Sequence, residues 1–163
     1  MSGDSGITIG PPMETAPANP LLLTLATEAA ACGAFGAIKS TANTLSLAAR
    51  SGANANYAVS AQAATLRLRL ETPDRWLSES VEGALLEGND SLEELLAEEL
   101  DALGAAAPPF KFRHFRDDAR VYVFELELPL PASEAAATAL TYLRAFAATF
   151  DQLGDMGEAP EAK

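Results

Sequence analysis

Residues 119–131, Ala119-Arg-Val-Tyr-Val-Phe-Glu-Leu-Glu-Leu-Pro-Leu-Pro131, decide the fold. Tyr122, Phe124, Leu126 and Leu128 alternate with Val123, Glu125 and Glu127. That is the period of a strand with one face buried and its carboxylates turned to water or to a partner. From Ala132 to Leu153 the apolar residues recur at helical spacing instead. Ser133 stands where a cap belongs, and Ala136, Leu140, Leu143, Phe146, Phe150 and Leu153 share one side. One strand feeding one helix fixes the class as mixed α and β.

Upstream, Phe110, Phe112 and His114 alternate with Lys111, Arg113 and Phe115, and Asp117-Asp118 turns this strand back into the one above. Pro108-Pro109 separates it from a helical region. There, Thr72-Pro73 reads as N-cap and first helical position, with Leu77, Val81 and Leu85 inward and Gly88 at the end. Asp90 with Glu93 predicts a capping box for a further helix, Leu92, Leu95, Leu96, Leu100 and Leu103 inward, closed by Gly104. Nearer the N-terminus, Asn19 and Pro20 open a helix that stops at Gly33, its buried stripe being Leu21, Leu22, Leu25, Ala29 and Cys32. Residues 35–56 are ambiguous. Residues 42–50 fit a strand, Ser51-Gly-Ala-Asn54 a turn, and Tyr57–Glu71 one longer strand, the two forming a hairpin. The expected fold is α+β: an antiparallel sheet of two hairpins packed by N-terminal, middle and C-terminal helices. Residues 1–19 read as a disordered lead, 20–153 as one domain and 154–163 as an acidic C-terminal tail.

The chain has 163 residues, a formal net charge of −12 and a sequence pI near 4.4. Such a field repels phosphate polymers and anionic membrane surfaces, so direct nucleic-acid binding is disfavoured. The charge is also unevenly placed. Between Glu71 and Asp101 there are eleven acids against Arg75 alone, whereas Lys39, Arg50, Arg67 and Arg69 are the only charges from Phe35 to Leu70. Exposed helix faces are usually charged, and this is the plain reading of the acidic run; the other is a patch for a basic partner. No positively charged leader precedes an apolar stretch, and the run from Leu21 is too short and alanine-rich to span a bilayer, which points to a cytoplasmic protein without a membrane role.

Motifs that carry chemistry fail on context. Gly3-Asp-Ser-Gly6 has the form of a protease nucleophile motif but lies in the lead, and the one histidine follows it. Gly33-Ala-Phe-Gly-Ala-Ile-Lys-Ser40 has Ile38 where a phosphate-binding loop needs glycine. Cys32, the single cysteine, sits among alanines and reads as a small buried hydrophobe. His114 reads as a packed or edge residue, with no companion at metal-ligand spacing. Glu93, Glu94, Glu98 and Glu99 lie on an exposed helical face rather than in a cleft. No catalytic, cofactor or metal site is expected. Arg67, Arg69, Lys111, Arg113, Arg116 and Arg120 would line one sheet if both hairpins join, a basic strip beside Phe115 and Tyr122 suited to single-stranded nucleic acid, with Glu125 and Glu127 on the adjoining strand opposing it.

The segment 120–131, followed by Ala-Leu-x-Tyr-Leu-x-x-Phe-x-x-x-Phe-Asp-x-Leu ending at Leu153, resembles the C-terminal strand and helix of YbjN-like proteins. That family is similar to class I type III secretion chaperones, small acidic dimeric α+β proteins that bind other polypeptides. The resemblance covers about the last third of the chain, and the helical insertion from Thr72 to Gly104 departs from it in length. It implies a homodimeric, non-enzymatic binding module. Its partner would be a protein, basic or itself nucleic-acid-binding, met through Arg67, Arg69, Glu93, Glu94, Glu98, Glu99, Glu125 and Glu127.

Overall fold

A computed structural model describes residues 19–41, 43–49, 53–62, 64–88, 90–131, 133–153 and 156. Helix α1 (Pro20–Cys32) begins as expected: the Asn19 side chain accepts from Leu21 N at 2.8 Å, Pro20 supplies the preset first position, and Gly33 ends the helix in the left-handed region at φ 72°. Strands β1 (Phe35–Ser40), β2 (Leu45–Ala49), β3 (Asn56–Gln62) and β4 (Thr65–Thr72) follow, then helices α2 (Arg75–Gly88) and α3 (Leu92–Ala102), strands β5 (Arg113–Arg116) and β6 (Tyr122–Pro129), and helix α4 (Ala135–Asp151). The six strands form one sheet in the order β1-β2-β3-β4-β6-β5, every neighbouring pair antiparallel. The α+β class stands, with a sheet larger than the two hairpins expected.

Several expectations change. The stretch read as one strand over Tyr57–Glu71 is two, because the chain reverses between Gln62 and its partner Thr65. Strand β1 was not foreseen; it holds its place by pairing with β2, with the ladder slipping between Phe35 and Ile38. Thr72 ends β4 instead of capping α2: its hydroxyl donates to Asn54 O and accepts from Asp74 N. Asp74 takes the cap, its carboxylate accepting from Trp76 N at 2.9 Å. The capping box of α3 is Ser91 with Glu94, one residue beyond the Asp90–Glu93 pair. Helix α4 starts from Glu134 at φ 55° with no side-chain cap, so Ser133 does not serve. Strand β5 is only Arg113–Arg116, although Phe112 still joins the core by stacking on Phe146. Cys32 and Leu103, read as buried, are exposed. Met156, assigned to the tail, is wholly buried. The lead motif at residues 3–6, Arg50 and the remaining tail residues lie outside the described residues.

All four helices lie over one face of the sheet. Tyr57, Val59, Leu66, Leu68, Leu70, Phe124, Leu126 and Leu128 alternate inward and meet Leu22, Leu25, Leu143, Phe146 and Phe150 in a single core. Tyr57 packs edge-on against Phe146, and its hydroxyl reaches Ala147 O at 3.5 Å. Burial, reinforced by the Asp151 carboxylate, holds this phenol well above its ordinary pKa. α3 packs on α4, and the Glu93 carboxylate accepts from Phe112 N at 2.8 Å, tying the helical region to the segment leading into β5.

Candidate functional site

Two surfaces carry the charge of the molecule. The first is the sheet face that no helix among the described residues covers. Register builds it: Arg69 on β4 stands opposite Glu125 on β6, which stands opposite Arg113 on β5, while Arg67 stands opposite Glu127. Opposite charges directly across antiparallel strands attract. Arg113 donates to Glu125 Oε1 at 2.7 Å, and Arg69 Nε lies 3.2 Å from Glu125 Oε2. That contact has ion-pair reach without hydrogen-bond alignment, and Arg69 also pairs with Glu71 at 3.2 Å. Arg67 donates to Glu127 at 2.6 Å and lies 3.7 Å from Glu125, and its hydrogen bond to Glu127 raises its pKa further. The Arg69 and Arg113 guanidinium groups lie 5.8 and 4.9 Å from the centre of the Phe115 ring.

Glu125, expected to face water or a partner, is therefore buried beneath this network, its side chain only 5% exposed. Arg67, Arg69, Glu125 and Glu127 are brought together by the register as a mutually neutralising ladder.

The second surface is helical. Glu93 and Glu94 are engaged in the contacts described above, Glu99 accepts from Gln152 at 3.1 Å, and Glu98 is exposed. These four glutamates stand apart from the sheet ladder. On α2, Trp76 is 74% and Leu86 82% exposed, among Glu79, Glu82, Glu87 and the following Asp90. Arg75 is matched to Glu79 at 2.9 Å. Trp76 did not figure among the candidates, although the periodicity that turns Leu77 and Val81 inward turns it outward.

His114 stacks on Phe124 with ring centroids 3.9 Å apart and donates from Nδ1 to Val123 O at 2.9 Å. Its Nε2 meets the Glu82 carboxylate, with Ser78 Oγ at 3.5 Å. A hydrolytic triad needs serine on one ring nitrogen and carboxylate on the other. Here both crowd Nε2, and the histidine ties α2 to the sheet.

Among the described residues, no group of three or more His, Cys, Asp and Glu side chains could hold a metal ion. No helix there is long and apolar enough to cross a membrane. In residues 33–40 a helix precedes Gly33 and a strand contains Gly36, the reverse of the strand-loop-helix order of a phosphate-binding loop. An open cleft of about 270 Å³ lies between Leu21, Ala61, Leu130 and Ala135, and one of about 190 Å³ between Leu85, Asp90, Leu95 and Leu153. Comparison with family models, curated proteins and solved structures finds no match.

Proposed function

We propose that this chain is a non-enzymatic polypeptide-binding module of the chaperone-like kind that its closing strand and helix resemble. It works as a cytoplasmic homodimer and holds a basic protein, for example one that itself binds nucleic acid. One observation carries the reading: the acidic run from Glu71 to Asp101 is displayed mainly on α2 and α3, where Glu79, Glu82, Glu87, Asp90, Glu94, Glu98 and Asp101 are exposed and Arg75 is the one cation of the run. Complementary charge steers encounter and selects partners.

The reading as a single-stranded nucleic-acid binder has less support, because Arg67, Arg69 and Arg113 each lie within ion-pair distance of a carboxylate.

The test is affinity capture at low salt by the wild type and by E87Q/D90N/E98Q/D101N, with an unrelated acidic protein as control. The expected result is a protein retained by the wild type and lost with the neutralised variant. Recovery no greater than on the control protein refutes the proposal.

A further inference from the structure

Helix α2 presents a face that no described residue covers. Trp76 and Leu86 are the two most exposed large apolar side chains described, at 74% and 82%. Ten residues separate them, which is roughly 15 Å along the axis and about 80° around it. Between them stands Gly83, where an added Cβ would meet nothing within 4 Å. Glycine is the least favourable helix-interior residue after proline. Among the described residues no neighbour occupies that space, so Gly83 leaves a notch in the helix surface. The charge around these anchors is negative: Glu79, about one turn from both Trp76 and Gly83, stands on the face itself and is bonded to Arg75, while Glu82, Glu87 and Asp90 border it and Glu82 reaches back to His114.

We infer that this face docks a cationic amphipathic helix from a partner protein, with Trp76 and Leu86 as anchors, Gly83 as the point of close approach, Glu79 between the anchors and Glu82, Glu87 and Asp90 as the rim. The inference rests on the polypeptide-binding reading and names the partner's chemistry. A tryptophan is the commonest kind of interface anchor, and an apolar stripe flanked by lysines satisfies anchors and rim together. An acidic or uniformly polar segment satisfies one at most.

Trp76 is the only tryptophan in the chain, so fluorescence excited selectively at tryptophan reads this face alone. The probes are synthetic leucine–lysine peptides of about 14 residues, long enough to span the anchors. One has leucines at helical spacing, one has the same composition without a face, and one is a leucine–glutamate counterpart.

The expected result is a saturable blue shift of Trp76 emission with the first peptide only. Leu86→Lys, at an exposed position and checked by circular dichroism, should weaken it at least about tenfold, a change of ~1.4 kcal/mol. A blue shift unaltered by Leu86→Lys overturns the inference. If labelled lysine peptides bind with or without a face and Trp76 emission does not move, the α2 site is overturned while the polypeptide-binding reading stands. If neither lysine peptide binds at low salt, both fall. Emission that shifts on dilution of the protein alone, with a smaller mass for Leu86→Lys, assigns the face to a second copy of this chain and overturns the cationic partner.

Discussion

Replacing Glu125 by glutamine keeps the shape of the sheet ladder and removes its central charge. Arg113 and Arg67 are 67% and 41% exposed and can rehydrate, so their loss is small. Arg69 is 27% exposed, its Nε is buried, and Glu71 is its remaining partner among the contacts described above. A charged hydrogen bond contributes about 1.5–3 kcal/mol, and an orphaned buried charge costs more than the pair was worth. With one well-aligned bond lost and one guanidinium partly trapped, E125Q should lose about 2–3 kcal/mol. For a domain of this size that lowers Tm by about 6–12 °C. The control is E127Q: Glu127 is 49% exposed and pairs with the half-exposed Arg67, so its loss should cost under about 1 kcal/mol. Urea melts followed by circular dichroism measure both, with the slope m unchanged and the midpoint shifted. If E125Q costs no more than E127Q, the argument from burial and two-sided pairing is wrong.

Other substitutions test the helices and the core. Ser91→Ala removes the capping box of α3 and should cost about 1 kcal/mol in the same melts. Gly83→Ala fills open space on α2 and should stabilise the fold by about 0.5–1 kcal/mol while weakening any ligand of that face. Tyr57 is held protonated in the folded state, so its contribution is intact below the unfolded phenol pKa of about 10 and is lost as pH rises beyond it. Tyr57→Phe should flatten the alkaline fall in stability; an unchanged slope removes Tyr57 as its cause.

Elements whose own side chains set their conformation were legible in the sequence. β6 and α4 alternate at 2.0 and 3.6 residues, and Asn19-Pro20 with Gly33 bounds α1 without help from elsewhere. What escaped depends on partners. β1 carries Gly36 and Lys39 and has no fully buried position, so its ladder to β2 and the packing of Phe35 and Ile38 on the core make it a strand. The reversal after Gln62 lies in Gln-Ala-Ala-Thr, with none of the glycine, proline, asparagine or aspartate that marks turns. Two of the three misplaced caps are shifts of one or two residues, since Thr72, Asp74, Asp90 and Ser91 are all competent acceptors and the fold selects among them. At the charged surface, residue types were visible but register was not. Arg67, Arg69 and Arg113 make a basic strip when counted by strand, and are matched by Glu127, Glu71 and Glu125 once the strands are aligned.

The two ends of the sheet have one more consequence. β5 offers four residues, two of them arginine, and β1 offers a slipped ladder with Lys39 near its end. A foreign strand laid along either rim finds only a short aligned run of amides and carbonyls, flanked by cations. Growth of this protein into fibres is thereby discouraged at both rims, a safeguard built from strand length, register and charge. Straightening β1 and replacing Lys39 by valine would take that safeguard away at one side.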